Sequence, residues 1–167
     1  MIEIRNIVGD ATNPEGEGMK VITHVCNNGG GWGHGFVMAL SKKWKQPEQA
    51  YRIWSQDPVH FQLGQVQMVP VETNIVVANM IGQVVGYENG MPPIRYEAIR
   101  RGLQAIRNYC KKHNASLHCP QFGSGLAGGS WEIIEQIIKE ELSEYDIPVT
   151  VYEFVDINSP FYIPVKA

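Results

Sequence analysis

Two glycine-rich stretches, each placed between a Val/Ile-rich run and a helical pattern, constrain this chain more than any other feature. The first, "CNNGGGWGHG" from Cys26 to Gly35, holds five glycines in ten residues. The second, "GSGLAG" from Gly123 to Gly128, satisfies G-x-G-x-x-G and leads towards Ser130. Glycine loses more conformational freedom on folding than any other residue, so a cluster needs a compensating use, either a sharp turn or close approach of bare backbone to a ligand. A turn accounts for one or two glycines per loop. A Gly-Gly-Gly followed by Gly-x-Gly exceeds that need, and the ligand reading leads.

The rest of the chain sets these loops in a layered α/β pattern. Strand-like runs recur at Ile2–Val8, Lys20–Cys26, Gln65–Val71, Asn74–Met80, Ser116–Gln121 and Val149–Phe154. From about Ile94, the residues Ile99, Leu103, Ile106 and Cys110 fall on one stripe of an amphipathic helix, with Arg100, Arg101, Arg107 and Lys111 off it. A second helix is predicted over Trp131–Leu142, with Ser130 as its N-cap and Glu132 complementing the positive end of its dipole; its N-terminus and the glycine amides of Gly123–Gly128 together suit a pyrophosphate. A third follows the first glycine loop, from about Phe36 to Trp44. Strands alternating with helices imply an α/β sheet, and the short gap between Val71 and Asn74 allows only a hairpin, which makes the sheet mixed. Both glycine loops then fall between a strand and a helix, where open α/β sheets bind ligands.

The totals narrow the function. The 167 residues suit one domain with a core of its own, 1–167, its body at about 2–154 and a short tail at 155–167. The formal charge of −3 and the lack of a long basic run argue against general nucleic-acid binding, though loop amides and helix ends suit a single nucleotide. Three cysteines, Cys26, Cys110 and Cys119, form no C-x-x-C pair, so neither a disulfide framework nor a zinc site of familiar spacing is indicated. No leader and no apolar run of membrane-spanning length is evident. A cytoplasmic protein without membrane contact is the expectation.

Several readings of the motifs remain in competition. G-x-G-x-x-G with Glu153 some distance beyond resembles a dinucleotide fingerprint, but that motif normally joins the first strand and helix of its fold, whereas here one helix and one strand follow. No Gly-Lys-Ser/Thr is present, which removes the P-loop. Asp10 in "VGDAT" lies just past the first strand, where a carboxylate accepts hydrogen bonds from an exocyclic amine such as that of adenine; alternatively it closes an Asx-turn. His24, Cys26 and His34 make a poor metal cluster, because strand alternation does not place His34 with the other two. Cys26 reads as a small buried hydrophobe rather than a nucleophile.

"GDAT" after the first strand, a glycine-rich loop after the second and "GSGLAGGSW" before the last helix together resemble the macrodomain family, whose members bind ADP-ribose. The resemblance runs from Ile2 to about Phe154 and implies a three-layer α/β/α fold around a mixed, mostly parallel central sheet. "HVCNNGGGWGHG" and "CPQFGSGLAGGSW" are most similar to the branch containing the yeast ADP-ribose 1''-phosphate phosphatase and, more distantly, the terminal ADP-ribose protein glycohydrolase. The resemblance implies that Asp10 and Ala11 meet adenine. Asn27, Asn28, Gly30, Gly31, Trp32, Gly33, His34 and Gly35 would hold the distal ribose, and Gly123, Ser124, Gly125, Leu126, Ala127 and Gly128 the diphosphate. Phe154 is the aromatic expected to flank adenine, unless it faces the core, and Trp32 walls the distal ribose or packs within its loop.

The same resemblance bears on chemistry. The glycohydrolase's lysine and aspartate correspond to Gln83 and Ala127 here, neither of which acts as nucleophile or acid–base group. The phosphatase branch matches at His24, whose unperturbed pKa near neutrality suits proton transfer; a buried histidine satisfied by backbone is the competing account. Glu88 in "GYENG" is a further acid in a loop. The expectation is an ADP-ribose-binding hydrolase that releases phosphate from ADP-ribose 1''-phosphate or removes ADP-ribose from modified protein. A reader module without turnover is the rival, and no cofactor or metal is implied.

Overall fold

The structure, a computed structural model, describes residues 1–154, so the tail at 155–167 lies outside the described residues. Six strands form one sheet: β1 (Arg5–Val8), β2 (Lys20–Asn27), β3 (Val66–Glu72), β4 (Ile75–Gln83), β5 (Ser116–Pro120) and β6 (Val149–Glu153). Their order is β1-β6-β5-β2-β4-β3. Every neighbouring pair is parallel except β3 with β4, the predicted hairpin. Four helices accompany them: α1 (Phe36–Lys43), α2 (Gln46–Trp54), α3 (Tyr96–His113) and α4 (Trp131–Glu141).

Period-two alternation explains the layering. In β2 and β4, Val21, Ala78 and Met80 face a cluster built with Ile99, Leu103, Ile106, Ile134 and Ile138 of α3 and α4. Ile22, Cys26, Ile75 and Val77 face the opposite cluster, with Leu40 of α1 and Tyr51 of α2. β4 is buried along nearly its whole length, which is why it reads as a continuous apolar run rather than an alternating one. Burying each such Leu or Ile contributes roughly 1.5–3 kcal/mol. The three cysteines are free and buried. No helix among the described residues is long and apolar enough to cross a membrane.

Two expectations are corrected. The first strand begins at Arg5, not Ile2; the Ile2 amide is instead bonded to the Ser143 carbonyl. Helix α2 was not anticipated, because QPEQAYRIW carries a proline in its first turn and shows too short an apolar stripe, with Ile53 exposed.

Candidate functional site

Because β1, β6, β5, β2 and β4 all run in one direction, the loops that follow them emerge at one edge of the sheet. The loop after β2 leads to α1 on one face, and the loop after the neighbouring β5 leads to α4 on the other. Adjacent strands whose connections diverge to opposite faces leave a crevice between them, the site where open α/β sheets hold ligands. A cavity of about 610 Å³ lies there. Both glycine loops line it: Asn27, Gly31, Trp32, Gly33, His34 and Gly35 from the first, and Gly123, Gly125, Leu126 and Ala127 from the second.

Asn27 folds the first loop. Its Oδ1 accepts from the Gly29 and Gly31 amides at 2.8 and 3.2 Å, and its Nδ2 donates to the Gly31 carbonyl at 3.1 Å. Helix α2 then clamps it, with the Tyr51 hydroxyl donating to the Asn27 carbonyl at 2.5 Å. Trp32 is held in a closed circuit. Its indole N–H donates to Ser41 Oγ at 2.8 Å, Ser41 donates to Glu48 Oε1 at 3.1 Å, Glu48 Oε2 accepts from Arg52 Nε at 2.9 Å, and Arg52 reaches back to the Trp32 carbonyl at 3.4 Å. Arg52 also lines the cavity and is the only lysine or arginine to do so among the described residues.

The glycines divide by cause. Gly123 has φ +77°, and a Cβ there would meet Ile94 and Ile134 at 2.8 and 2.9 Å, so the fold itself requires glycine. Gly33 and Gly125 have ordinary φ, and a Cβ would meet nothing within 4 Å. Both border the cavity, so the space kept clear at these two positions belongs to it.

A helix end also faces the crevice, but not the expected one. Gly35, Phe36 and Val37, the start of α1, line the cavity; Ser130 and Trp131, the start of α4, do not. α1 carries no side-chain cap and no acid in its first turn, which leaves its first amides and positive dipole end directed at the crevice. Ser130 does occupy the N-cap position of α4, but its side chain makes no capping bond, and its amide is taken by the Tyr96 hydroxyl at 2.9 Å. The second loop closes on itself first, through a bond from the Gly129 amide to the Gly123 carbonyl at 2.8 Å.

His24 borders the cavity floor at 2% exposure, with its ring 5.3 Å from that of Trp32 and 5.9 Å from that of Phe36. Burial lowers its pKa from 6.5 to about 4, only partly opposed by the Asn79 hydrogen bond. The satisfying partner is thus a side chain. Burial pushes the adjoining Cys26 thiol far up, which keeps it protonated. Gln83 lies on the cavity wall; Glu88 does not, and sits 3.8 Å from Arg95.

The remaining predicted residues lie off the cavity wall. Gly30 turns at φ +83° against Ser55, Ser124 donates to the Gln121 carbonyl at 2.8 Å, and Gly128 turns at φ +72° beside Pro92 and Tyr87. Asn28 bonds through its amide to the Gln83 carbonyl. Asp10 and Ala11 follow β1, and Phe154 follows β6, two strands paired side by side at the same sheet edge. Asp10 Oδ1 accepts from the amide and hydroxyl of Thr12 at 2.9 and 2.8 Å, the Asx-turn arrangement, while Oδ2 takes no bond among the described residues. Phe154 is exposed and does not face the core. Sequence reasoning missed Arg52, whose helix it did not find, and the start of α1 as a wall of the site.

No protein-family profile and no curated protein matches the chain. Solved structures do. A protein of unknown function from Bacteroides thetaiotaomicron is 56% identical with a TM-score of 0.90, over 92% of this chain and 99% of that one. A macrodomain protein from Streptomyces coelicolor is 49% identical with a TM-score of 0.80, over 90% of this chain and 99% of that one. Thermosipho africanus DarTG, solved in complex with ADP-ribose, is 19% identical with a TM-score of 0.63, over 87% of this chain and 40% of that one, a likeness of fold alone.

Proposed function

This chain belongs to the macrodomain family, and from that premise we propose that it binds ADP-ribose along the sheet edge where its two glycine loops meet. Adenine would lie towards Asp10, Ala11 and Phe154 at the β1/β6 end. The diphosphate would lie between Gly123–Gly128 and the start of α1, and the distal ribose against Trp32, Gly33 and His34. The observation that carries this reading is the pair Gly33 and Gly125, which nothing within the fold obliges to be glycine and which border the same cavity. Loop amides and a helix N-terminus suit a diphosphate without requiring a cation. The ADP-ribose complex of a structural neighbour supports the same ligand.

Hydrolysis is the second reading, and one observation favours it. Asn79 Oδ1 fixes a proton on Nε2 of His24, so Nδ1 of a residue bordering the cavity carries the lone pair. That nitrogen would take a proton from a water attacking the phosphorus of ADP-ribose 1''-phosphate and return it to the ribose oxygen as the P–O bond breaks, releasing phosphate and ADP-ribose. Its low pKa makes it a weak base, and the cavity wall offers no carboxylate or lysine among the described residues, which favours a reader. Removal of ADP-ribose from modified protein belongs to the same reading.

Calorimetric titration with ADP-ribose tests binding, and phosphate release from ADP-ribose 1''-phosphate tests turnover. Saturable binding without release identifies a reader. Release that survives His24→Ala removes His24 from the mechanism. No binding at all contradicts the proposal.

A further inference from the structure

We propose that Tyr152 is the positioning residue for base recognition: it is the post around which the loop carrying Asp10 is wrapped, and its hydroxyl fixes the direction in which the Asp10 carboxylate faces. The inference rests on the ADP-ribose reading and extends it to how the site distinguishes one base from another.

Tyr152, 2% exposed, touches the Asp10 loop at both ends. A Cβ on Gly9, the residue before Asp10, would lie 3.3 Å from the Tyr152 ring. At the other end, the Glu15 amide donates to the Tyr152 hydroxyl oxygen at 2.9 Å. Between these points the loop holds its own shape, with Thr12 donating to Asp10 Oδ1 and the Asn13 amide donating to the Asp10 carbonyl at 2.9 Å. Lys43, at the end of α1, adds a bond to the Thr12 carbonyl from above.

The post is itself fixed from beneath. His118 Nδ1 lies 2.7 Å from the Tyr152 hydroxyl, and His118 Nε2 lies 2.8 Å from Ser116 Oγ. Burial holds His118 neutral, so one of its ring nitrogens donates and the other accepts, and both are paired. A chain of bonds runs from β5 through β6 into the loop, with His118 and Tyr152 both buried. Such a network is satisfied at every step, which is what makes a buried polar chain rigid. None of its members reaches the glycine-lined cavity, so a role in holding phosphate does not account for it. Its output is the direction of Asp10, whose free Oδ2 is the atom available to an exocyclic amine.

The test compares ADP-ribose with its inosine analogue, in which a carbonyl replaces that amine. Wild-type protein should prefer ADP-ribose. Tyr152→Phe keeps the ring and loses the hydroxyl, so ADP-ribose affinity should fall roughly 2- to 10-fold, the worth of one neutral hydrogen bond, with inosine-analogue affinity unchanged. In an Asp10→Ala background the same substitution should have no further effect, because both act through one contact. If Tyr152→Phe is too unstable to titrate, His118→Leu removes the hydroxyl's partner and carries the same expectation. A variant that loses both ligands equally, or retains the wild-type preference, or adds its full effect to Asp10→Ala, overturns the role given to Tyr152. Wild-type protein that binds neither ligand overturns the binding reading, and the positioning role with it.

Discussion

Nε2 of His24 lies 2.6 Å from Oδ1 of Asn79, and the Asn79 amide nitrogen in turn donates to the Pro47 carbonyl at 3.0 Å and to Gln67 Oε1 at 3.1 Å. With both amide hydrogens spent, Asn79 presents only an acceptor to the imidazole. That acceptor fixes a proton on Nε2 in either charge state and favours the charged ring, but burial outweighs it and lowers the His24 pKa to about 4. Desolvation likewise lowers His118 to about 4, with Lys20 and Arg5 adding to the effect.

Acid sensitivity follows from these two rings. Between pH 6.5 and about 4 the unfolded chain binds protons on both histidines while the folded chain does not, so stability is greatest above that window and falls as pH drops through it. Each ring accounts for on the order of 3 kcal/mol across the window, a large share of an ordinary domain's stability. Chemical denaturation at a series of pH values should show this decline, and His118→Gln should flatten it. A midpoint independent of pH over the window would mean that the rings are not buried neutral.

The glycines of the second loop separate fold from ligand. Gly123→Ala forces a side chain into positive φ and against Ile94 and Ile134, and should destabilise the protein by on the order of 2 kcal/mol. At Gly125 a Cβ meets open space, so Gly125→Val should leave stability within about 0.5 kcal/mol while sharply weakening ADP-ribose binding. Thermal melts and titrations of the two variants check this, and a Gly125→Val protein that binds normally would show that the cavity is not the diphosphate site.

Arg52 and Glu48 secure the first loop through Trp32. The pair is partly exposed, so Glu48→Gln or Arg52→Gln should each weaken ADP-ribose binding about fivefold, roughly 1 kcal/mol. The double variant should be little worse than either single one, since both break the same circuit. Additive losses measured by titration would mean that Arg52 meets the ligand independently of Glu48.

What the sequence disclosed followed from how local each signal was. The hairpin at β3 and β4, the stripe of α3 and the placement of both glycine loops between strand and helix were legible because each rests on spacing within a few residues. Asp10 was legible as a motif residue, and its Asx-turn bonds to Thr12, two residues on, as a local alternative, but the stack of Tyr152 and His118 beneath its loop joins residues far apart in the chain. Arg52 stayed hidden because its helix opens with Gln-Pro and exposes Ile53, which blurs the apolar period. The helix end facing the site was assigned to α4 from Ser130. The second loop instead closes on itself through Gly129 before α4 begins, and it is Gly35, Phe36 and Val37 at the start of α1 that line the cavity.

The most direct test follows the backbone amides of isotopically labelled protein by nuclear magnetic resonance while ADP-ribose is added. The signals of Gly31, Gly33 and Gly35 should shift together with those of Gly123 and Gly125, saturating on a single curve. Shifts confined to one loop, or none at ligand concentrations that saturate other macrodomains, would contradict a diphosphate held between the two.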